Sequence, residues 1–194
     1  MFQLNENLKF INVDPRYVRA LHAACSEVFY SAHNYDNKPY IGILVSGSTN
    51  QKYVIPLTSA KDKHKLWKDV DFDRYLVYEE ADLSAMGTED IYTVSVNDPQ
   101  KVKHILSAIE IKKMIPIRDD VYTVVDINVK PTDSDDEKKY KHLLNKEYSF
   151  CVKIKDELVE KANKIYTKQI ATGKVVRFGC DFRALESVCT SYVS

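Results

Sequence analysis

Within eight residues, Thr58, Ser59, Lys61, Lys63, His64 and Lys65 place two hydroxyls, three ammonium groups and an imidazole together, in the stretch KYVIPLTSAKDKHKLW that ends at Trp67. Hydroxyls and cations without a carboxylate cluster suit a substrate that carries phosphate. An ammonium supplies charge to a phosphate oxygen, and a hydroxyl or backbone N–H supplies the directed hydrogen bond. The stretch contains no glycine, so its backbone cannot wrap a nucleotide phosphate as a Walker A loop does. A nucleic-acid backbone is the reading these residues favour. The plain alternative is a surface turn in which Thr58 and Ser59 cap locally and the lysines are solvated.

The elements that must hold these groups are legible on both sides. Lys52–Leu57 reads as an apolar strand stopped by Pro56, and Tyr40–Val45 reads as its partner. SGSTNQ between them has turn chemistry, so the two form a hairpin. The start of one antiparallel strand lies beside the end of the next, which would bring Lys38 to the end of the sheet that carries Thr58 and Ser59. Ser31–Pro39 is polar and turn-rich and holds His33, Tyr35 and Lys38.

The rest of the chain alternates short strands with helices. Phe2–Val13 is expected as a first strand. Asp14-Pro15 opens a helix, with Tyr17, Val18, Leu21 and Cys25 at helical spacing. The acidic stretch 68–90 reads as a surface excursion with a short strand at Tyr75–Tyr78, and Ile91–Val96 as a further strand. Asp98-Pro99 repeats the cap signal, so Val102, Ile105, Leu106 and Ile109 predict a short helix. Lys112–Ile117 and Val121–Val129 read as strands. A long helix follows from about Lys138, with Tyr140, Leu144, Cys151, Ile154, Leu158, Ala162 and Ile165 on one stripe and Gly173 as its stop. Val175–Phe178 is expected as an edge strand, and Asp181 as the cap of a last helix. The expectation is an α+β fold, a small, strongly bent β-barrel with inserted helices and a long C-terminal helical segment.

The chain has 194 residues, 44% hydrophobic, enough to bury a core as one domain over residues 1–194. Its 28 basic and 28 acidic residues cancel, but unevenly. Residues 138–178 carry eleven Lys and Arg against four Asp and Glu, whereas residues 68–90 carry two against eight. A phosphate backbone responds to the local field, so a neutral sum does not exclude nucleic acid. Cys25, Cys151, Cys180 and Cys189 form no CxxC, and the five histidines (His22, His33, His64, His104, His142) show no metal-ligand spacing. No leader of signal type and no membrane-crossing stretch is evident, which points to a cytoplasmic protein with reduced thiols, no membrane and no cofactor.

The segments YIGILV (Tyr40–Val45), KYVIPLTSAK (Lys52–Lys61) and KKMIPI (Lys112–Ile117) resemble the endoribonuclease toxins of type III toxin–antitoxin systems, the ToxN/AbiQ family. The likeness runs from about Phe10 to the C-terminus, with PLTS-x-K as its specific core. It implies a compact barrel related to the MazF/Kid-type toxins, metal-independent cleavage of cellular or phage RNA, and inhibition by a structured repeat RNA antitoxin in a closed head-to-tail protein–RNA assembly. It also implies functional roles for Lys38 and Tyr17, and an RNA-binding helix containing Tyr140 and Lys141.

RNA carries its own nucleophile: a deprotonated 2′-hydroxyl attacks the adjacent phosphorus and leaves a 2′,3′-cyclic phosphate and a 5′-hydroxyl. The protein must supply orientation, a proton path and charge for the phosphorane. Lys38 and Lys61 are the expected charges, Thr58 and Ser59 the donors to non-bridging oxygens, and His64 or Tyr17 the proton carrier, Tyr17 being alternatively a surface for base stacking. Tyr35, Lys63, Lys65, Trp67, Lys112, Lys113, Lys138, Lys139, Tyr140 and Lys141 are the expected RNA contacts. A non-catalytic RNA-binding adaptor barrel, or a barrel toxin acting on protein, would fit the same features.

Overall fold

The computed structural model describes residues 1–4, 8–30, 39–46 and 50–193. Its strands in chain order are β1 (Phe2–Leu4), β2 (Phe10–Val13), β3 (Tyr40–Ser46), β4 (Lys52–Ser59), β5 (Val70–Asp71), β6 (Arg74–Asp82), β7 (Tyr92–Val94), β8 (Lys101–Glu110), β9 (Ile115–Ile117) and β10 (Tyr122–Val124). Its helices are α1 (Pro15–Ala24), α2 (Asp135–Lys153), α3 (Lys155–Thr172) and α4 (Phe182–Ser191). The chain falls into two compact units. The first comprises Met1–Leu57, Glu110–Asp126 and Ile154–Ser194, and the second Thr58–Ile109 and Ile127–Lys153.

In the first unit the strand order is β10-β2-β3-β4-β9, all antiparallel, with β1 also on β3. Among the described residues, no pairing joins β10 to β9. The sheet is therefore open, and the expected closed barrel is not formed. The reason is local: β9 is three residues long, and the turn Asp119–Val121 after it carries the chain to β2 instead. The α+β class stands, as antiparallel sheet with four helices. Phe2, Tyr53, Tyr166 and Phe182 pack ring against ring with centroids 4.8 to 6.0 Å apart. The hydroxyls of Tyr53 and Tyr166 both donate to Glu186 Oε1 at 2.7 Å.

Helix signals in this unit behave as their chemistry dictates. The Asp14 carboxylate accepts the Arg16 N–H at 2.8 Å, and Pro15 takes the first helical position. Gly173 ends α3 with φ +68°, its N–H on Gln169 O at 2.8 Å. Asp181 caps α4 through the Ala184 N–H. The buried Gln169 amide braces the junction of α3 and α4, donating to Cys180 O at 3.0 Å and accepting the Phe182 N–H at 2.6 Å. Val175–Phe178 is a turn, not an edge strand. The segment expected as one first strand is two, β1 and β2. Lys112–Ile117 holds a short helical turn before β9, and Val121–Val129 yields only β10.

In the second unit, β8 lies beside β6, β6 beside β5, and β7 pairs with β8 at Tyr92↔His104. The end of β4 runs on to Ala60, whose N–H donates to Leu106 O at 3.4 Å. Residues 102–109 form a strand, not the expected helix. Asp98 caps only a turn, accepting the Gln100 N–H at 2.9 Å, and Ile105–Glu110 is buried throughout, as a strand covered on both faces must be. The acidic stretch is not a loose surface excursion either. Tyr75, Leu76 and Val77 of β6 are fully buried, and Lys103 neutralises Asp69 at 2.7 Å. The long helical segment breaks at Ile154, so α2 and α3 are separate helices. Ser134 and Glu137 start α2 as a capping box, with the Ser134 N–H donating to Glu137 Oε2 at 2.8 Å and the Glu137 N–H donating to Ser134 Oγ at 3.3 Å.

Glu147 lies on the buried stripe of α2 with Leu144 and Cys151. Burial pushes its carboxyl from 4.5 up to about 7, an effect the Ser107 hydroxyl only partly offsets. The folded state thus keeps a proton that the unfolded chain releases, so this contribution is full below about 4.5 and falls as pH rises to about 7. Glu147→Gln keeps the shape without the charge. Its urea midpoint is expected to exceed the wild type's at pH 8 and to match it near pH 4.5; equal midpoints at both pH values would refute the buried, proton-holding carboxyl.

Candidate functional site

Extended backbone presents alternate side chains to opposite faces, and the end of β4 keeps that alternation past its last paired residue. Thr58 is buried, its hydroxyl donating to Ala108 O at 3.4 Å. Ser59 is exposed, Ala60 half-buried, and Lys61, still extended at φ −144° and ψ 156°, is exposed. Ser59 and Lys61 therefore share one solvent face, about 6.6 Å apart along the strand. Neither side chain has a hydrogen-bond or ion-pair partner among the described residues. Thr58 belongs to the opposite face. Its expected contact with a phosphate oxygen is corrected to a supporting one, because a hydroxyl turned into the core cannot reach a ligand on the other side of the strand.

Beyond Lys61 the chain makes the helical turn Asp62–Leu66, fixed from below by His64. The His64 N–H donates to Lys61 O at 2.8 Å, and His64 Nδ1 accepts the Lys61 N–H at 3.2 Å. The imidazole is 1% exposed and lies against Trp67 with centroids 4.5 Å apart. Trp67 itself packs on the Leu76, Ile105 and Ala108 cluster. The guanidinium of Arg74 sits 4.2 Å from its ring centroid, and the Lys63 ammonium 5.3 Å from it. Trp67 is thus half-buried and anchors the loop, and its expected contact with RNA would use the part of the ring that stays exposed. Arg74 completes this arrangement and was not singled out in the sequence. Its one mark in the sequence is an arginine among the aspartates of DVDFDRY. Arg74 also pairs with Asp71 at 3.1 Å.

Burial, with Lys63, Lys61 and Arg74 nearby, holds the His64 imidazole down at about 4. It is neutral and enclosed near neutrality, so the expected proton-carrying role is corrected to a structural one. Tyr17 meets the same difficulty in the first unit. It is fully buried, its hydroxyl donates to Pro116 O at 2.8 Å, and its ring packs edge-on against Tyr192. Burial pushes its phenol far up. A ring with no exposed face offers neither a stacking surface nor a proton to RNA.

The expected RNA contacts are dispersed. Lys65 pairs with Asp62 at 2.9 Å. Lys112 is buried, and Lys113 is held by Glu27 at 3.1 Å and lies 4.2 Å over Phe29. In the second unit, Lys139 is exposed, Lys138 lies 3.9 Å from Asp135, and Lys141 is locked to Asp133 at 2.9 Å. Tyr140 is half-buried, its phenol raised by burial and by Glu147. Lys38 and Tyr35 lie outside the described residues. Pro39, which follows Lys38, accepts the Leu57 N–H at 3.2 Å. Among the described residues, no group of His, Cys, Asp and Glu is arranged to hold a metal ion.

Keeping the enclosed His64 imidazole neutral ties stability to pH. Its folded value lies below the ordinary 6.5, so its contribution is present above about 6.5 and lost as pH falls to about 4. The difference in urea midpoint between wild type and His64→Asn is expected to shrink over that interval. A difference that stays constant from pH 7.5 to 4.5 would show that the imidazole is not held neutral.

A family model, "Toxin ToxN, type III toxin-antitoxin system", matches residues 9–190. The chain is 26% identical over 194 residues to Endoribonuclease ToxN of Bacillus thuringiensis subsp. kurstaki, covering 96% of this chain and 85% of that protein. Two solved structures share its fold. AbiQ, a lactococcal anti-phage endoribonuclease belonging to the type III toxin–antitoxin system, is 21% identical over 95% of this chain and 97% of its own, with a TM-score of 0.68. A type III toxin described for selective inhibition by a non-coding RNA pseudoknot is 21% identical over 96% of this chain and 98% of its own, with a TM-score of 0.67. With the PLTS-x-K core inside the matched span, the chain belongs to the ToxN family of type III toxin–antitoxin toxins.

Proposed function

We propose that the chain is an endoribonuclease that needs no metal, cutting RNA by attack of a 2′-hydroxyl on the adjacent phosphorus. The observation that carries the reading is the pair of unpartnered groups, Ser59 and Lys61, on the solvent face at the end of β4. Ser59 donates to a non-bridging phosphate oxygen, and Lys61 offsets the charge that grows on the phosphorane. Buried Thr58 and the His64–Trp67 anchor hold the backbone that carries them, since a catalytic contact is useful only if it is held in place. Because the nucleophile belongs to the substrate, Ser59 forms no covalent intermediate. The charge role that the family resemblance implies for Lys38 is kept in this reading.

The partners follow the same reading: cellular or phage RNA as substrate, and a structured repeat RNA as inhibitor in a closed head-to-tail assembly. Support comes from the relatives, of which one is named an endoribonuclease and another is described with an inhibitory RNA pseudoknot. We further read residues 1–194 as one enzyme domain, supported by a family match that spans parts of both units. Cytoplasmic action fits a chain in which no described helix is long and apolar enough to cross a membrane. A relation of the fold to the MazF/Kid-type toxins belongs to the proposal, supported by the antiparallel sheet with its helices and by the RNA target.

Ser59→Ala should fold normally, as an exposed hydroxyl without a partner adds little to stability. It should lose on the order of 10²–10³ in cleavage rate, the typical loss for one donor to a developing oxyanion. The assay is purified protein with a mixed-sequence RNA in EDTA, reading the product ends for 2′,3′-cyclic phosphate and 5′-hydroxyl. Native-rate cutting by Ser59→Ala sinks the assignment, and RNA bound but never cut by the wild type turns the reading to a non-catalytic adaptor. Binding of a repeat RNA should weaken steeply with added salt, as displaced counterions require; an affinity indifferent to salt would contradict it.

A further inference from the structure

From Gly173 the first unit reaches the cap of α4 through Lys174, Val175, Val176, Arg177 and Phe178. The Gly179 N–H donates to Val176 O at 2.8 Å, closing a four-residue turn with Arg177 and Phe178 at its corners. Phe178 has φ +58°, the left-handed region that such turns give to glycine or asparagine. A glycine stands next to it, but another demand holds it there. A Cβ on Gly179 would meet Val176 O at 3.0 Å and Lys112 O at 3.2 Å. The two residues cannot trade places, so a bulky aromatic carries the unfavourable angle.

The ring gains little within the fold for this. Phe178 is 58% exposed, and the Arg177 guanidinium lies 4.7 Å from its centroid. Val175, Lys174 and Arg177 beside it are exposed as well. Backbone strain that adds nothing to packing marks a position kept for another purpose. An outward aromatic with an arginine on its face and a lysine nearby is what a single nucleic-acid strand binds. The ring takes a base without regard to sequence, and the cations take the flanking phosphates. We propose that Phe178 is a stacking platform for an unpaired RNA base, with Arg177 and Lys174 on the adjoining phosphates. The inference rests on the RNA reading above and adds to it a contact site remote in sequence from Ser59 and Lys61.

The test compares the full-length wild type with Phe178→Gly and Phe178→Trp in fluorescence anisotropy. One probe is a short linear RNA with every 2′-oxygen methylated, which 2′-hydroxyl attack cannot cut. A second is a folded pseudoknot RNA with unpaired loop bases, and heparin serves as a polyanion without bases. Glycine accepts the left-handed angle, so Phe178→Gly should melt no lower than the wild type. It should bind RNA about tenfold or more weakly, the size of one lost base–aromatic stack. Phe178→Trp should keep the affinity, and heparin binding should be unchanged in both. Loss on the linear strand alone assigns the platform to a substrate base, and loss on the pseudoknot assigns it to the inhibitor RNA. Phe178→Gly that binds both RNAs as tightly as the wild type overturns the proposal and leaves the RNA reading intact. A wild type that binds neither removes both.

Discussion

Pro56 lies inside β4 without ending it, and the candidate site depends on that continuity. Proline has no N–H to give a ladder, so within a sheet it is tolerated only where no donor is needed. On β4, the Leu57 N–H points to Pro39 O, so the missing donor of Pro56 would point to the other edge. There β9 pairs only as far as Val54. The strand runs on through Thr58 and Ser59. The in-and-out alternation therefore also continues, and it sets Ser59 and Lys61 on one side of the strand and Thr58 on the other. Had the strand stopped at its proline, the three residues would be a turn with no fixed relation to one another.

A strand end is rigid only as far as its pairing, and Lys61 lies beyond it. His64 extends the order by three residues. Its ring nitrogen and its carbonyl-bound N–H make reciprocal bonds with the Lys61 backbone, and Trp67 covers it. Enclosure of a titratable ring beside three cations keeps it neutral, which suits a structural part better than an exchanger of protons. The same residue types that signalled chemistry thus divide in the structure. Two groups face the solvent, and the aromatic and imidazole rings beneath them hold the loop.

Local signals were readable wherever one residue decides the outcome. Asp14 with Pro15, Gly173 and Asp181 each begin or end a helix by their own side-chain chemistry, and the β3–β4 hairpin follows from two apolar runs around a turn. What failed were inferences from spacing and from charge. Val102, Ile105, Leu106 and Ile109 fit a helical stripe, yet a strand buried on both faces produces the same string, and only the partners of β8 separate the two. Apart from Arg74, the cations that answer the acidic run lie elsewhere in sequence. Lys103 answers Asp69, and Glu79 lies between His104 at 3.2 Å and Lys146 at 2.7 Å. The site was legible as far as Ser59 and Lys61. That His64, Trp67 and Tyr17 are packed depends on tertiary neighbours no local pattern contains.

Charge poses the remaining difficulty for an RNA enzyme, because 28 cations and 28 anions cancel. The field at a phosphate depends on cations that are not already answered. Lys52, Lys65, Lys101, Lys103, Lys113, Lys141, Lys146 and Lys164 each lie within 3.1 Å or less of a carboxylate. A lysine held by a carboxylate can neutralise a phosphate only by leaving that partner. By contrast Lys61, Lys153, Lys155, Lys168 and Lys174 are exposed and have no carboxylate partner among the described residues. Unpaired positive charge is thus left at β4's end, on α2 and α3, and before Phe178. Each pair removes one charge of either sign, so as many acids as bases remain, and what a polyanion meets is set by where the unpaired bases lie.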